Sequence, residues 1–163
     1  MKAEEVVALY QALDAKGLPV IIDGGWAVDA LLGTQTREHH DLDIAIERSQ
    51  LGALKNYLES LGYRELSRSQ EKMWDLVLCD TQGREIEVHA FSRDKNGNVI
   101  KEEYWDGYDT DSLSGIGHIA NHEVRCASLS QLVKTHNNSK RRLKETDLSD
   151  MKLLSEKFGV VFE

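Results

Sequence analysis

Long apolar runs are missing from this 163-residue chain, and with them any stretch able to span a bilayer. Its first residues carry no signal-peptide pattern. Cysteine is scarce: Cys79 and Cys126 are the only two, and nothing in their spacing suggests a disulfide. The expectation is a cytoplasmic protein with reduced, buried thiols. Positive charge is in deficit, with 20 Lys and Arg against 28 Asp and Glu and a formal net charge of -8. That balance argues against nucleic acid as a partner and suits a cationic small molecule. Repeats and low-complexity tracts are absent as well. The length fits one domain, or a core with a small helical appendage, and allows a sizeable hydrophobic interior.

Two short stretches carry the chemistry. Asp23-Gly24-Gly25-Trp26 is a turn with no side chain at two successive positions, where backbone N–H groups can approach a phosphate closely. Asp41-Leu42-Asp43-Ile44-Ala45-Ile46 heads a strand-like run. Alternate strand residues face the same way, so Asp41 and Asp43 project together while Leu42, Ile44 and Ile46 enter the core. Paired carboxylates repel unless a cation lies between them or one is protonated. Mg²⁺ suits such a pair when a nucleotide supplies further oxygen ligands. Gly-Gly alone is an ordinary turn and Asp-x-Asp alone an ordinary strand end. In this order, with a short helix and a loop between, they read as a site for a metal-bound nucleoside triphosphate.

Periodicity predicts the rest of the chain. Ala3 to Lys16 is an amphipathic helix stopped by Gly17 and Pro19, followed by a buried strand over Val20 to Asp23 and a helix over Trp26 to Leu32. Ser49 is expected to cap a helix carrying Leu51, Leu54, Leu58 and Leu61. Strands are expected over Tyr63 to Ser67, Met73 to Leu78 and Ile86 to Phe91, and Asp80 to Gly83 turns the last two into a hairpin. A second hairpin turns around Asn121-His122. Ser128 caps a helix with Leu129, Leu132, Val133 and His136 on one face, and the last helix turns Leu148, Met151, Leu154 and Phe158 inward. Arg37 is either a solvated arginine or a cation for the triphosphate. His39 and His40 lack zinc-like spacing and read as structural or supporting groups. On the strand over Ile86 to Phe91, Glu85, Glu87 and His89 share a face, and parity does not choose between the two glutamates. The aromatic and acidic segment 101–111, with Tyr104, Trp105 and Tyr108, is either a wall of an acceptor pocket or a loop packed by its own aromatics.

Ile22 to Gly33 and Thr36 to Ile44 resemble the small lincosamide nucleotidyltransferases and the related aminoglycoside 2''-nucleotidyltransferases, within the superfamily that has a DNA polymerase β-like core. The likeness extends through Glu85-Ile86-Glu87-Val88-His89 and Val124-Arg125-Cys126 to Lys144-Glu145-Thr146-Asp147-Leu148-Ser149-Asp150. It implies an α+β fold: a mixed β-sheet flanked by helices over 1–126, with a C-terminal helical segment over 127–163 packed on it. It selects Glu87 as the third carboxylate, in place of the aspartate often found there, and Lys144 as a phosphate contact. The family's His-Gly-Tyr-like tract is not matched after His136, where Asn137-Asn138-Ser139 follows, which bears on the acceptor and leaves the nucleotide chemistry intact.

The implied reaction is transfer of a nucleoside monophosphate, AMP for choice, from ATP or another nucleoside triphosphate to a hydroxyl of a lincosamide-type antibiotic. Asp41, Asp43 and Glu87 would hold Mg²⁺, two ions in the expected form, and Gly24, Gly25, Arg37 and Lys144 would receive the phosphates. His89, Tyr104 and Trp105 are expected to face the acceptor. Alternatives are an aminoglycoside acceptor, AMP transfer to a protein as in toxin–antitoxin pairs, and a nucleotide-binding module without catalysis. No membrane or nucleic-acid partner is expected, and a homodimer is compatible with an acceptor pocket built across its interface.

Overall fold

A computed structural model describes residues 1–66, 76–100, 107–136 and 143–161. Among the described residues seven strands form one mixed sheet: β1 (Ile21–Ile22), β2 (Asp41–Glu47), β3 (Arg64–Glu65), β4 (Leu76–Cys79), β5 (Glu85–Phe91), β6 (Gly115–Ile119) and β7 (His122–Cys126). The order across the sheet is β3-β4-β5-β2-β1-β7-β6. β2 runs parallel to β5 and antiparallel to β1, which is itself parallel to β7. Five helices accompany the sheet among the described residues: α1 (Ala3–Ala15), α2 (Gly24–Leu32), α3 (Leu51–Ser60), α4 (Leu129–His136) and α5 (Glu145–Phe158). The fold is α+β.

Strand parity decides what lies on each face. Leu42, Ile44, Ile46, Ile86 and Val88 point to one side and join Val6, Leu13, Trp26, Leu54, Leu58, Leu132 and Leu154 in the main core. All five of these helices therefore bury residues against that face, and each fully buried Leu or Ile contributes roughly 1.5–3 kcal/mol. The opposite face carries a smaller cluster of Ile21, Ala45, Phe91, Val99, Tyr108 and Leu113. Asp41, Asp43, Glu87 and His89 share the parity of that second face. Tyr108 and Leu113 bring segment 107–114 onto its apolar part.

Several local expectations are corrected. Ser49 does not cap α3: a 3-10 turn over Arg48–Gln50 leads into the helix, Gln50 is the cap position, and the Ser49 hydroxyl bonds Glu47 at 3.3 Å instead. The second hairpin turns at Ala120 and Asn121, both with positive φ, so His122 already belongs to β7. Leu148 and Phe158 are 55% and 40% exposed, and α5 turns Asp147, Asp150, Met151 and Leu154 inward. The two acids are buried there because they find partners, described below. Ser128 does cap α4, its hydroxyl accepting from the Gln131 N–H at 3.2 Å. The start of the strand expected over Met73 to Leu78 lies outside the described residues.

Candidate active site

The parallel β2–β5 register sets Asp41 beside Glu85 and Asp43 beside Glu87. Glu87 is buried, whereas Glu85 is only half-buried. The Asp23 N–H, at the end of β1, donates to the Asp43 carbonyl at 2.9 Å and brings a further carboxylate to the group. Burial drives the Asp43 carboxyl well above the usual carboxylate range, and Asp41, Asp23 and Glu87 push it the same way, while Lys144 opposes them. Lys144 is thus close enough to act on Asp43 although it lies 101 residues further along the chain.

Asp23 caps α2 by accepting from the Gly24 N–H at 2.8 Å, and its other oxygen accepts from the Tyr108 hydroxyl. Both glycines stand where a side chain would collide. Gly24 has φ +57°, and a Cβ there would strike the Asp43 carboxylate. A Cβ on Gly25 would strike the Arg37 guanidinium and the His39 ring, 2.7 Å from its Cε1. The turn is therefore the floor on which Asp43 and Arg37 rest, at the N-terminus of α2, where backbone N–H groups favour an anion.

Arg37 makes a two-point contact with the buried Asp150, Nη2 to Oδ2 at 3.1 Å and Nε to Oδ1 at 3.4 Å. Burial acts to raise the Asp150 carboxyl, but His136 and Arg37 outweigh it and hold it below the usual range. His39 is fixed on the other side: its Nε2 donates to Asp29 Oδ2 at 2.5 Å and its ring lies 4.5 Å from that of Trp26. Asp29 also accepts from the Thr36 N–H at 3.0 Å and hydroxyl at 2.6 Å, which pins the loop carrying Arg37. His40 is exposed.

His89 is buried on the same face as Glu87, its ring 5.9 Å from Tyr108 in an edge contact. Tyr104 and Trp105, together with the rest of 101–106, lie outside the described residues, as do Asn137 to Ser139 and the basic run Lys140 to Arg142. Tyr108, expected in an acceptor wall or a self-packed loop, bonds Asp23 and meets His89, while Asp23, Asp29 and Asp150 are site residues that the sequence reading did not assign. Asp before Gly-Gly at a helix start is an N-cap signal that points to Asp23. The others depend on contacts between distant segments.

Among the described residues no three ligating side chains close a metal site. The donor chemistry still fits a hard divalent cation: adjacent carboxylate oxygens whose mutual repulsion a cation relieves. Such an ion needs one or two carboxylates and takes its remaining ligands from water and phosphate.

A model of the aminoglycoside-2''-adenylyltransferase family matches residues 5–154. A 2''-aminoglycoside nucleotidyltransferase of Klebsiella pneumoniae is 40% identical over 67 residues, 39% of this chain and 38% of that protein. A lincosamide resistance protein of Staphylococcus haemolyticus is 29% identical over 83 residues, 49% of this chain and 48% of its own length. These alignments therefore span less than half of each relative. Among solved structures, the lincomycin-bound lincosamide antibiotic adenylyltransferase LnuA superposes with a TM-score of 0.77 at 24% identity, covering 93% of this chain and 95% of that one. The complex of ANT(2'')-Ia with adenylyl-2''-tobramycin gives 0.75 at 21% identity, covering 96% and 89%. Both share the fold.

Proposed function

The chain belongs to the aminoglycoside-2''-adenylyltransferase family, and from that premise we propose that it transfers AMP from ATP to a hydroxyl of an antibiotic. One observation carries the reading: Asp41, Asp43 and Glu87 stand together at one end of the β2–β5 pair, with Gly24 making room for Asp43.

Asp41 and Asp43, with Glu87 beside them, would hold Mg²⁺, which supplies charge neutralisation to the triphosphate and the developing oxyanions. Gly24, Gly25, Arg37 and Lys144 receive the phosphates: the turn offers backbone N–H groups, and the two cations flank it. The acceptor oxygen attacks the α-phosphorus, forming a new P–O bond. The bond from that phosphorus to the oxygen bridging it to the β-phosphate breaks, and pyrophosphate leaves with the electron pair. Glu87 takes the hydroxyl proton, being the carboxylate that adjoins both Asp43 and the face on which His89 and Tyr108 lie. Orientation and electrostatic stabilisation carry most of the barrier reduction in this chemistry.

For the acceptor, the family match and the net charge of -8 favour an aminoglycoside, whose several amines suit a carboxylate-rich face. The fold shared with the lincomycin-bound enzyme supports a lincosamide as the second reading. Pyrophosphate release from ATP and Mg²⁺, measured with kanamycin and with clindamycin in separate reactions, tests both. Release that depends on one drug identifies its class. Release with neither, but with a labelled polypeptide in lysate, would replace the antibiotic by a protein acceptor.

A further inference from the structure

Helix α5 spends its inward face on two acids and leaves Leu148 outside, an arrangement that burial of apolar surface alone does not explain. Asp150 holds the Arg37 guanidinium, and Asp147 holds the backbone of Lys144. Asp147 accepts from the Lys144 backbone N–H at 2.7 Å and so sets the first turn of the helix, from which Lys144 acts on Asp43. Asp150, one turn further on and 2% exposed, grips the Arg37 guanidinium at two points. His136 braces both acids from α4, its Nε2 lying 3.9 Å from Asp147 and 3.7 Å from Asp150. Its Nδ1 donates to the Leu132 carbonyl at 2.9 Å, which fixes the ring.

We infer that Asp150 is a positioning residue for the nucleotide, anchoring the Arg37 guanidinium across Gly25 in a fixed orientation. The inference rests on the phosphate-binding role given to Arg37 above. A planar guanidinium held at two points keeps one orientation; Nη1 also donates to the Glu38 carbonyl at 3.4 Å, and the N–H groups left over can serve an anion. Arg37 has this freedom to serve a ligand, since its side chain is 30% exposed while Asp150 is enclosed. Gly25 completes the geometry, because any side chain there would displace the guanidinium. Asp150 touches neither substrate nor metal in this scheme; it acts through Arg37.

A double-mutant cycle tests this, with Mg²⁺ and the α,β-methylene analogue of ATP as the probe and calorimetry as the readout. Asp150→Asn and Arg37→Gln are each expected to weaken binding roughly ten-fold, a difference of about 1.4 kcal/mol. The double variant should lose no more than the weaker-binding single variant, because Asp150 has nothing to position once Arg37 is gone. Additive losses, or full affinity in a folded Asp150→Asn protein, would overturn the inference. Should Asp150→Asn fail to fold, Arg37→Lys decides: lysine keeps the charge but not the two-point contact, and undiminished affinity there refutes the role. A wild-type protein that binds the analogue yet transfers nothing from ATP would refute the proposed reaction and leave the positioning role standing. Absence of binding by the wild type overturns both.

Discussion

The Asp43 carboxylate occupies the space that a side chain on residue 24 would need, and Gly24 holds φ +57° beside it. Gly24→Ala therefore meets two penalties, a left-handed backbone and a collision with the central carboxylate. The expected result is a loss of roughly 1–3 kcal/mol in urea unfolding, with transfer falling at least ten-fold further than stability accounts for. Ordinary activity in the folded variant would mean that Asp43 has freedom to move aside.

Asp43 is itself a source of instability in the metal-free protein. An acid whose folded pKa is raised loses stability as pH rises from its unfolded value through its folded one. At pH 8 without metal, Asp43→Asn should therefore unfold at a higher temperature than the wild type. Mg²⁺ should raise the wild-type Tm more than that of the variant. An equal shift in both would place the ion elsewhere.

Tyr108 and the Gly24 N–H hold the two oxygens of Asp23. Tyr108→Phe keeps the ring packed against Phe91 and His89 and removes only the hydroxyl. A destabilisation of roughly 1–3 kcal/mol is expected, typical of a lost hydrogen bond to a charged group. Asp23 stays bound to Gly24, so the fold should survive, and thermal melting with and without Mg²⁺ reads the effect.

Asp150 has the opposite linkage to Asp43. Its folded pKa is depressed, so its contribution is complete above about pH 4 and disappears as pH falls through the lower folded value. Wild type and Asp150→Asn should differ by roughly 2 kcal/mol in urea unfolding at pH 7 and converge in stronger acid. A gap that persists unchanged below pH 2 would assign the loss to packing.

What the sequence revealed followed the range of each interaction. Asp41 and Asp43 are two residues apart on one strand, and their parity with Leu42, Ile44 and Ile46 on the other face was readable from alternation alone. The Gly-Gly turn was equally local, although its steric reason was not: it needs Asp43 and Arg37 folded back against it. The inward face of α5 was misread because Leu148 follows the apolar period, while Asp147 and Asp150 are buried by partners on α4 and in the loop before β2. The Arg37–Asp150 contact spans 113 residues, beyond the reach of any local pattern. Ser49 failed as a cap for a smaller reason, since its hydroxyl had a nearer acceptor in Glu47.

Mass spectrometry of the acceptor after incubation with ATP, Mg²⁺ and the protein tests the central claim most directly. Kanamycin or clindamycin should gain one AMP, pyrophosphate should appear in equal amount, and a folded Asp43→Asn protein should yield neither. Modified drug formed undiminished by Asp43→Asn would refute the proposed site, and ATP consumed with both drugs left unmodified would refute the proposed reaction.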